Sequence, residues 1–200
     1  MSVEQFLALF AAMSLAILTP GPAIIAATQA AFQYGRSRAW PYALGLATGA
    51  SLWCIFALLG LAVVFKLHPP LFVAMKIFGG FYLLWFAVVL WRASTQPIPE
   101  AADGASKGFW GGITLNLSNP KPALFYAAVI LSIFPEAMSV DQKVVVYFTC
   151  LGTELFWYSL IAISMSTAVM RTRYFAAKLW IDRAAALAMG LLGLLLILHH

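Results

Sequence analysis

Two proline-rich stretches with polar residues interrupt long apolar runs of this chain. The first is Thr19-Pro20-Gly21-Pro22, and the second is Asn116-Leu117-Ser118-Asn119-Pro120-Lys121-Pro122. Proline breaks or kinks a helix, and a charge near the centre of a bilayer costs about 2.5–3.5 kcal/mol on insertion scales. Such stretches persist where they are buried in protein or line a watery cavity. Both are therefore candidates for parts of one binding site.

Each stretch has the residue types that start a new helix. Thr19 and Asn119 are favourable N-cap residues, and Pro20 and Pro120 follow at the favoured first helical position. A helix start carries the positive end of the dipole and unpaired N–H groups, which attract an anion such as a carboxylate. We therefore expect two half-helices that begin near the protein centre.

Gly21 and Lys121 add to this anion site. Gly21 lets a ligand approach the backbone closely, because it has no side chain. Lys121 supplies a full positive charge, although it could instead reach an interface or neutralise Glu154. The predicted substrate-binding residues are Thr19, Pro20, Gly21, Pro22, Asn116, Asn119, Pro120, Lys121 and Pro122.

Glu154 lies near the middle of another apolar run. An intramembrane carboxylate is a functional-site hypothesis by default, and Lys121 is its expected partner. Glu154 could carry a coupling proton or bind a substrate ammonium, and a purely structural ion pair is the third option. The sequence leaves these three open.

The composition is that of an integral membrane protein. Of the 200 residues, 63% are hydrophobic and 10% are charged, against about 25% charged residues in soluble proteins. The apolar runs approach or exceed the roughly 20 residues that cross a bilayer as a helix. The net charge of +5 then indicates loops that face anionic headgroups rather than a nucleic-acid partner.

Six apolar runs are candidate membrane spans. The last is the weakest, because Lys178, Asp182 and Arg183 lie in its first half, so five spans and an interfacial segment are the alternative. The runs are Phe6–Phe32, Trp40–Phe65, Leu71–Trp91, Phe109–Phe134, Val144–Val169 and Tyr174–Leu198.

The spans divide into two halves with breaks at matching places. Residues 1–92 and 108–200 each hold three spans, and residues 93–107 form a polar linker. Because three is odd, the halves must insert with opposite orientation, as in secondary transporters with inverted repeats. The predicted fold is an all-α integral membrane protein, with six transmembrane helices as two inverted three-helix repeats and broken first and fourth helices.

Lys and Arg in the connections predict the orientation. Arg36, Arg38, Arg92, Lys107, Arg171, Arg173 and Lys178 fall in odd-numbered connections, and Lys66, Lys76 and Lys143 fall in even-numbered ones. The excess places the odd-numbered connections in the cytoplasm and the N-terminus outside.

Other chemistry finds little support. Cys54 and Cys150 lack the spacing of a dithiol or metal site and are expected to be small buried hydrophobes. No nucleophile–base arrangement is evident, so we expect no enzyme, cofactor or metal. Gly45-x-x-x-Gly49 and Gly108-x-x-x-Gly112 permit close helix approach, which makes a homodimer an option.

Four stretches make the sequence resemble the LysE/RhtB family of bacterial exporters of amino acids and their derivatives. They are Thr19–Pro22, Gly45–Gly49 with Leu59–Leu61, Lys76–Leu84, and Gly108–Gly112 running into Asn116–Pro122. The resemblance covers residues 1–135, and hydropathy alone extends it further. Some members carry an acidic residue just after the second glycine of the second span, where this chain has Ala50.

The resemblance implies a proton-driven, multi-pass exporter of the bacterial inner membrane, without a cofactor. We expect the substrate to be an amino acid or a related small zwitterion, with the lipid bilayer as the other partner. Export of another small solute, such as a lactone, amine or dipeptide, is the main alternative. A membrane thiol–disulfide electron carrier and a non-transporting scaffold are the remaining ones.

Overall fold

A computed structural model describes residues 1–19, 21–67, 69–96, 108–134 and 138–198. This part of the chain is helical and contains no strand, which confirms the all-α class. The helices are α1 (Val3–Leu18), α2 (Pro22–Leu67), α3 (Pro69–Ala93), α4 (Gly108–Leu117), α5 (Pro120–Ile133), α6 (Val140–Ser164) and α7 (Ala168–Leu198).

The first and fourth predicted spans are both broken. In the first, α1 ends at Leu18 and α2 begins at Pro22, and in the fourth, Ser118 and Asn119 separate α4 from α5. Within α2, Gly35 has a φ of 72° and separates a short segment, residues 22–34, from a long one, residues 36–67. Glycine accommodates this left-handed backbone without a steric penalty. The short segment of α2 therefore follows the first break, as α5 follows the second.

Three stretches of described residues are long and apolar enough to cross a membrane on their own: Pro22–Gly60, Val140–Ser164 and Ala168–Leu198. The last favours a full sixth span over an interfacial segment. Shorter apolar helices cover Val3–Leu18, Ile77–Ala93 and Lys121–Ile133. The fifth and sixth spans begin several residues earlier than hydropathy predicts, at Val140 and Ala168. Residues 97–107 of the predicted linker lie outside the described residues.

Glycines bring α2 and α4 into backbone contact. A Cβ on Gly45 would lie 1.9 Å from the carbonyl oxygen of Phe109, and one on Gly112 would lie 2.2 Å from that of Tyr42. Neither position can hold a larger residue without moving a helix. These glycines join two helices of the same chain, so they give no support to the optional homodimer.

A second glycine contact joins α3 to α7. A Cβ on Gly80 would lie 2.9 Å from the carbonyl oxygen of Gly193, and one on Gly193 would lie 2.8 Å from that of Gly80. Helices α3 and α7 therefore pack closely, and α2 packs against α6 as well as against α4. Helices from the first part of the chain thus pack mainly against helices from the second part.

One end of the bundle gathers the first and fifth connections. Arg36 follows the break at Gly35, and its Nε donates a hydrogen bond of 3.0 Å to Ser166 Oγ, in the turn between α6 and α7. The charge count assigned Lys178 to the fifth connection, but the structure does not place it there. It lies inside α7 and is buried, so it carries no weight in the prediction of orientation.

Candidate functional site

A cavity lies where the two broken helices meet. Its volume is about 450 Å³, part of which is open to the surroundings. Its wall is apolar on the side of α1 and polar on the sides of α4, α5 and α6. The polar residues in the wall are Thr19, Asn116, Asn119, Lys121, Tyr126, Glu154 and Tyr158, with Gly21 and Ala50 between them.

The break after α1 differs from the prediction. Thr19 is the C-cap of α1, and its hydroxyl donates a 2.7 Å hydrogen bond back to the carbonyl of Leu15. The next helix begins at Pro22. The prediction that Thr19 caps the following helix is therefore wrong, because the threonine hydroxyl finds an acceptor in the preceding turn. Thr19 still lines the cavity.

The break before α5 follows the prediction. Asn119 is the N-cap, its Oδ1 accepts a 3.1 Å hydrogen bond from the backbone N–H of Lys121, and Pro120 starts the helix. This bond uses the amide of Lys121, so that amide is not an open donor for a ligand. The positive end of the α5 dipole nevertheless faces the cavity, because Asn119, Lys121 and Pro122 all line it.

Lys121 bridges the two breaks. Its Nζ donates a 2.8 Å hydrogen bond to the carbonyl of Ala16 in the last turn of α1 and lies 5.8 Å from the centroid of the Phe86 ring. The final carbonyls of a helix have no partner within the helix and carry its negative dipole end. The ammonium therefore stabilises the interrupted end of α1 while it lines the cavity.

Glu154 faces the same cavity from α6. It is 4% exposed, and its Oε1 accepts a 2.8 Å hydrogen bond from the hydroxyl of Tyr126 on α5. Its Oε2 is buried without a hydrogen-bond partner among the described residues. Lys121 does not form the expected ion pair with Glu154, since the ion pair found within 4.0 Å in the described part of the chain is Lys178–Asp182. A buried carboxylate with one free oxygen is thus available to a cation or a proton.

Asn116 ties the fourth span to the second. It is fully buried, and its Nδ2 donates a 2.7 Å hydrogen bond to the carbonyl of Leu46. The backbone carbonyl of Asn116 accepts a bond of 3.3 Å from Trp53 Nε1. These contacts come from the same helix pair that the glycines bring together, so they fix the end of α4 at the cavity.

Most of the predicted binding residues come together here. Thr19, Gly21, Asn116, Asn119, Lys121, Pro122 and Glu154 line the cavity. Pro120 begins α5 beside it. Pro22 is on the exposed side at the start of α2 and does not contribute to the wall. Pro20 lies outside the described residues.

Sequence reasoning missed Tyr126 and a second buried acid. Tyr158 is four residues after Glu154, so the two share a helix face, whereas Tyr126 is five residues after Lys121 and its spacing gives no such signal. Asp182 is 1% exposed and pairs with Lys178 at 2.8 Å. The sequence pattern that could have indicated this pair is Lys178-x-x-x-Asp182 within an apolar run. Hydropathy alone counts the two charges only as evidence against a membrane span.

The two cysteines stand apart from the cavity. Cys54 on α2 and Cys150 on α6 are buried free thiols that face each other. Neither thiol belongs to the wall of the cavity between the broken helices. This position fits small buried residues and not the redox-active pair that an electron carrier would need there.

Comparison with known proteins identifies the family to which the sequence is similar. The sequence model of the family described as LysE type translocator matches residues 14–200. The threonine efflux protein of Escherichia coli K12 is 26% identical over 193 residues, which cover 93% of this chain and 94% of that protein. The leucine efflux protein of Klebsiella pneumoniae is 27% identical over 188 residues, 90% of this chain and 85% of that protein. No solved structure matches the chain.

Proposed function

Since the chain belongs to the family of LysE type translocators, we propose that it exports amino acids or closely related small zwitterions across the bacterial inner membrane. Two of its relatives are named for efflux of threonine and of leucine. An amino acid carries one carboxylate and one ammonium. The observation that carries the proposal is the presence of a lysine ammonium and a glutamate carboxylate in the wall of one cavity, between two broken helices.

In this proposal the substrate carboxylate binds Lys121 and the start of α5. An ammonium has three donors, and one of those on Lys121 is engaged by the Ala16 carbonyl. The others can serve a substrate without release of α1. The substrate ammonium binds Oε2 of Glu154, the oxygen that has no partner among the described residues.

Proton coupling follows from the same carboxylate. Glu154 binds either a proton or the substrate ammonium, because protonation removes the charge that attracts the ammonium. A proton that arrives from outside therefore favours release of the substrate there, and loss of that proton inside favours binding of the next one. This exclusion is an antiport mechanism in which proton entry drives export.

Alternating access is the proposed role of the two halves. Residues 1–92 and 108–198 would act as inverted repeats related by a two-fold axis in the membrane plane. The matched breaks, and the packing of α3 on α7 and of α2 on α6, support this. Pro20 and Pro120 would then lie close together near mid-depth. Cysteines placed in the first and fifth connections should react from the cytoplasm, whereas one at Ser2 should react from outside.

The test is transport by purified protein in liposomes. Labelled L-threonine and L-leucine should exchange across the membrane, and an imposed pH gradient should drive their accumulation until a protonophore collapses it. An amine needs only Glu154 and a lactone needs neither charge, so transport of either of these without transport of amino acids would overturn the substrate assignment. Amino-acid exchange that ignores the pH gradient would overturn proton coupling alone.

A further inference from the structure

One hydrogen bond connects α5 to α6 at the cavity. The hydroxyl of Tyr126 on α5 donates it to Oε1 of Glu154 on α6, at 2.8 Å, and both residues are buried and line the cavity. Helix α5 packs mainly against α2 and α3, whereas α6 packs mainly against α2 and α1. The two helices are thus held chiefly through their neighbours, and this bond joins them directly at the site.

The bond leaves the carboxylate of Glu154 with one open oxygen. A phenol has a single hydrogen to donate, and the Tyr126 hydroxyl donates it to Oε1. Oε2 is buried without a hydrogen-bond partner among the described residues. Tyr126 therefore fixes the orientation of the carboxylate and decides which of its two oxygens is left for a ligand.

Helix α5 also carries the opposite charge of the site. Lys121 lies in the first turn of α5, five residues before Tyr126, and its Nζ is anchored by the carbonyl of Ala16 at the end of α1. The rise and twist of a helix fix how far apart the backbones of Lys121 and Tyr126 lie. The bond to Tyr126 thus ties the Glu154 carboxylate to the same helix that presents the ammonium.

We infer that Tyr126 is a positioning residue that makes the site selective for α-amino acids. By holding Glu154, it keeps the open carboxylate oxygen at one separation from the ammonium of Lys121. The site then accepts a substrate with its ammonium on the carbon next to the carboxylate, and it disfavours a substrate in which the two charges lie farther apart. The identity of the ligand rests on the proposed function, whereas the tie between Tyr126 and Glu154 does not.

Three isomers of aminobutyrate test this selectivity. L-α-aminobutyrate, β-aminobutyrate and γ-aminobutyrate have the same atoms and the same two charges, and they differ in the separation of those charges. Each is measured as an inhibitor of labelled L-threonine exchange in liposomes that contain the purified natural chain. We expect half-inhibition by the α isomer at a concentration about tenfold below that of the γ isomer, equivalent to about 1.4 kcal/mol. Equal inhibition by the three isomers would overturn the inference.

Tyr126→Phe keeps the aromatic ring and removes the hydroxyl that holds Glu154. The carboxylate is then free to turn, so we expect the preference for the α isomer over the γ isomer to be largely lost, with the maximal rate of exchange retained. A purely structural role of Tyr126 predicts instead that inhibition by all three isomers changes equally, and an unchanged preference would overturn the inference. Tyr147→Phe is the matched control, because Tyr147 is also on α6 but is not among the described residues that line the cavity.

Thermal unfolding tests the tie between Tyr126 and Glu154 without any substrate. Tyr126→Phe leaves a buried carboxylate oxygen without its donor, which should lower the Tm of the natural chain. In a chain with Glu154→Met no oxygen remains at this place, so Tyr126→Phe should change the Tm little. Equal Tm shifts in the two backgrounds would show that the side chains do not interact and would overturn the inference.

The two readouts also separate failure of the inference from failure of the proposed function. If the natural chain exchanges neither L-threonine nor L-leucine, the proposed substrates are wrong and the selectivity falls with them, but the unfolding experiment still decides whether Tyr126 holds Glu154. Exchange of L-threonine with an isomer preference that Tyr126→Phe does not alter would overturn the inference while leaving amino-acid export in place.

Discussion

Gly21 faces the ammonium of Lys121 across the meeting point of the two broken helices: a Cβ on Gly21 would lie 3.6 Å from Lys121 Nζ. The two residues are one hundred positions apart in the chain. The absence of a side chain at Gly21 leaves one side of the ammonium uncovered. The φ of Gly21 is not in the left-handed region, so the backbone conformation does not require glycine at the first break. The open space beside the ammonium explains the glycine instead.

Gly21→Ala should weaken substrate binding without harm to the fold. The added methyl group fits at ordinary contact distance, but it covers the ammonium and obstructs a carboxylate. A hydrogen bond to a charged group contributes about 1.5–3 kcal/mol, so a KM higher by about tenfold or more is expected in liposome transport. Gly152→Ala is the matched control, since a Cβ there meets no atom within 4 Å. Equal KM values for the two variants would contradict an open approach at Gly21.

Lys121→Met should abolish amino-acid transport while the protein still inserts and folds. The variant loses the charge that binds the substrate carboxylate and leaves the Ala16 carbonyl without its donor, at a cost of about 1–3 kcal/mol in stability. Lys121→Arg keeps the charge but has a planar fork of different geometry, and it should lose much of the activity.

Lys143→Met is the control for these variants, because Lys143 lies in the first turn of α6, away from the cavity wall. Binding of labelled substrate to the purified variants tests the loss of substrate affinity. Their size-exclusion profiles test whether they still fold. Transport at the natural rate by Lys121→Met would show that Lys121 stabilises the end of α1 and does not bind the substrate.

Glu154→Gln should stop both gradient-driven transport and exchange. The amide oxygen can still accept the hydrogen bond from Tyr126, so the local packing survives, but the side chain has no charge for a substrate ammonium and takes up no coupling proton. Exchange in liposomes, measured with and without a pH gradient, distinguishes the roles. Exchange that persists when gradient-driven transport is lost would limit Glu154 to the proton, and undiminished gradient-driven transport would leave it a structural residue.

Gly45→Ala should destabilise the bundle. Its Cβ would lie 1.9 Å from a backbone carbonyl oxygen of α4, so the two helices must move apart. Overpacking costs about 1–3 kcal/mol and occasionally more, and the hydrogen bond between Asn116 and Leu46 at the same contact should weaken as well. A lower Tm in detergent, with Gly152→Ala as the unaffected control, is the expected result. Equal Tm values would show that α2 and α4 are not in backbone contact.

The sequence by itself determined the class of the protein and the positions of its breaks, and it indicated most of the polar residues that line the cavity. Apolar runs of membrane length have few stable solutions other than helices, and prolines within them force interruptions at positions that are fixed locally. Asn119, Pro120 and Lys121 behave as their types predict, because capping involves only neighbouring backbone groups. Family membership likewise follows from motifs that are visible in the chain.

The tertiary structure decided the partners of the charged and polar groups. Thr19 caps the preceding helix instead of the following one, and Lys121 bonds to the end of α1 instead of Glu154. Asp182 is buried and pairs with Lys178. These choices depend on which helix faces arrive at the same place, and periodicity does not contain that information. The glycines show the same limit, because Gly45 and Gly112 predict a close helix contact, whereas only the folded chain shows that both helices are its own.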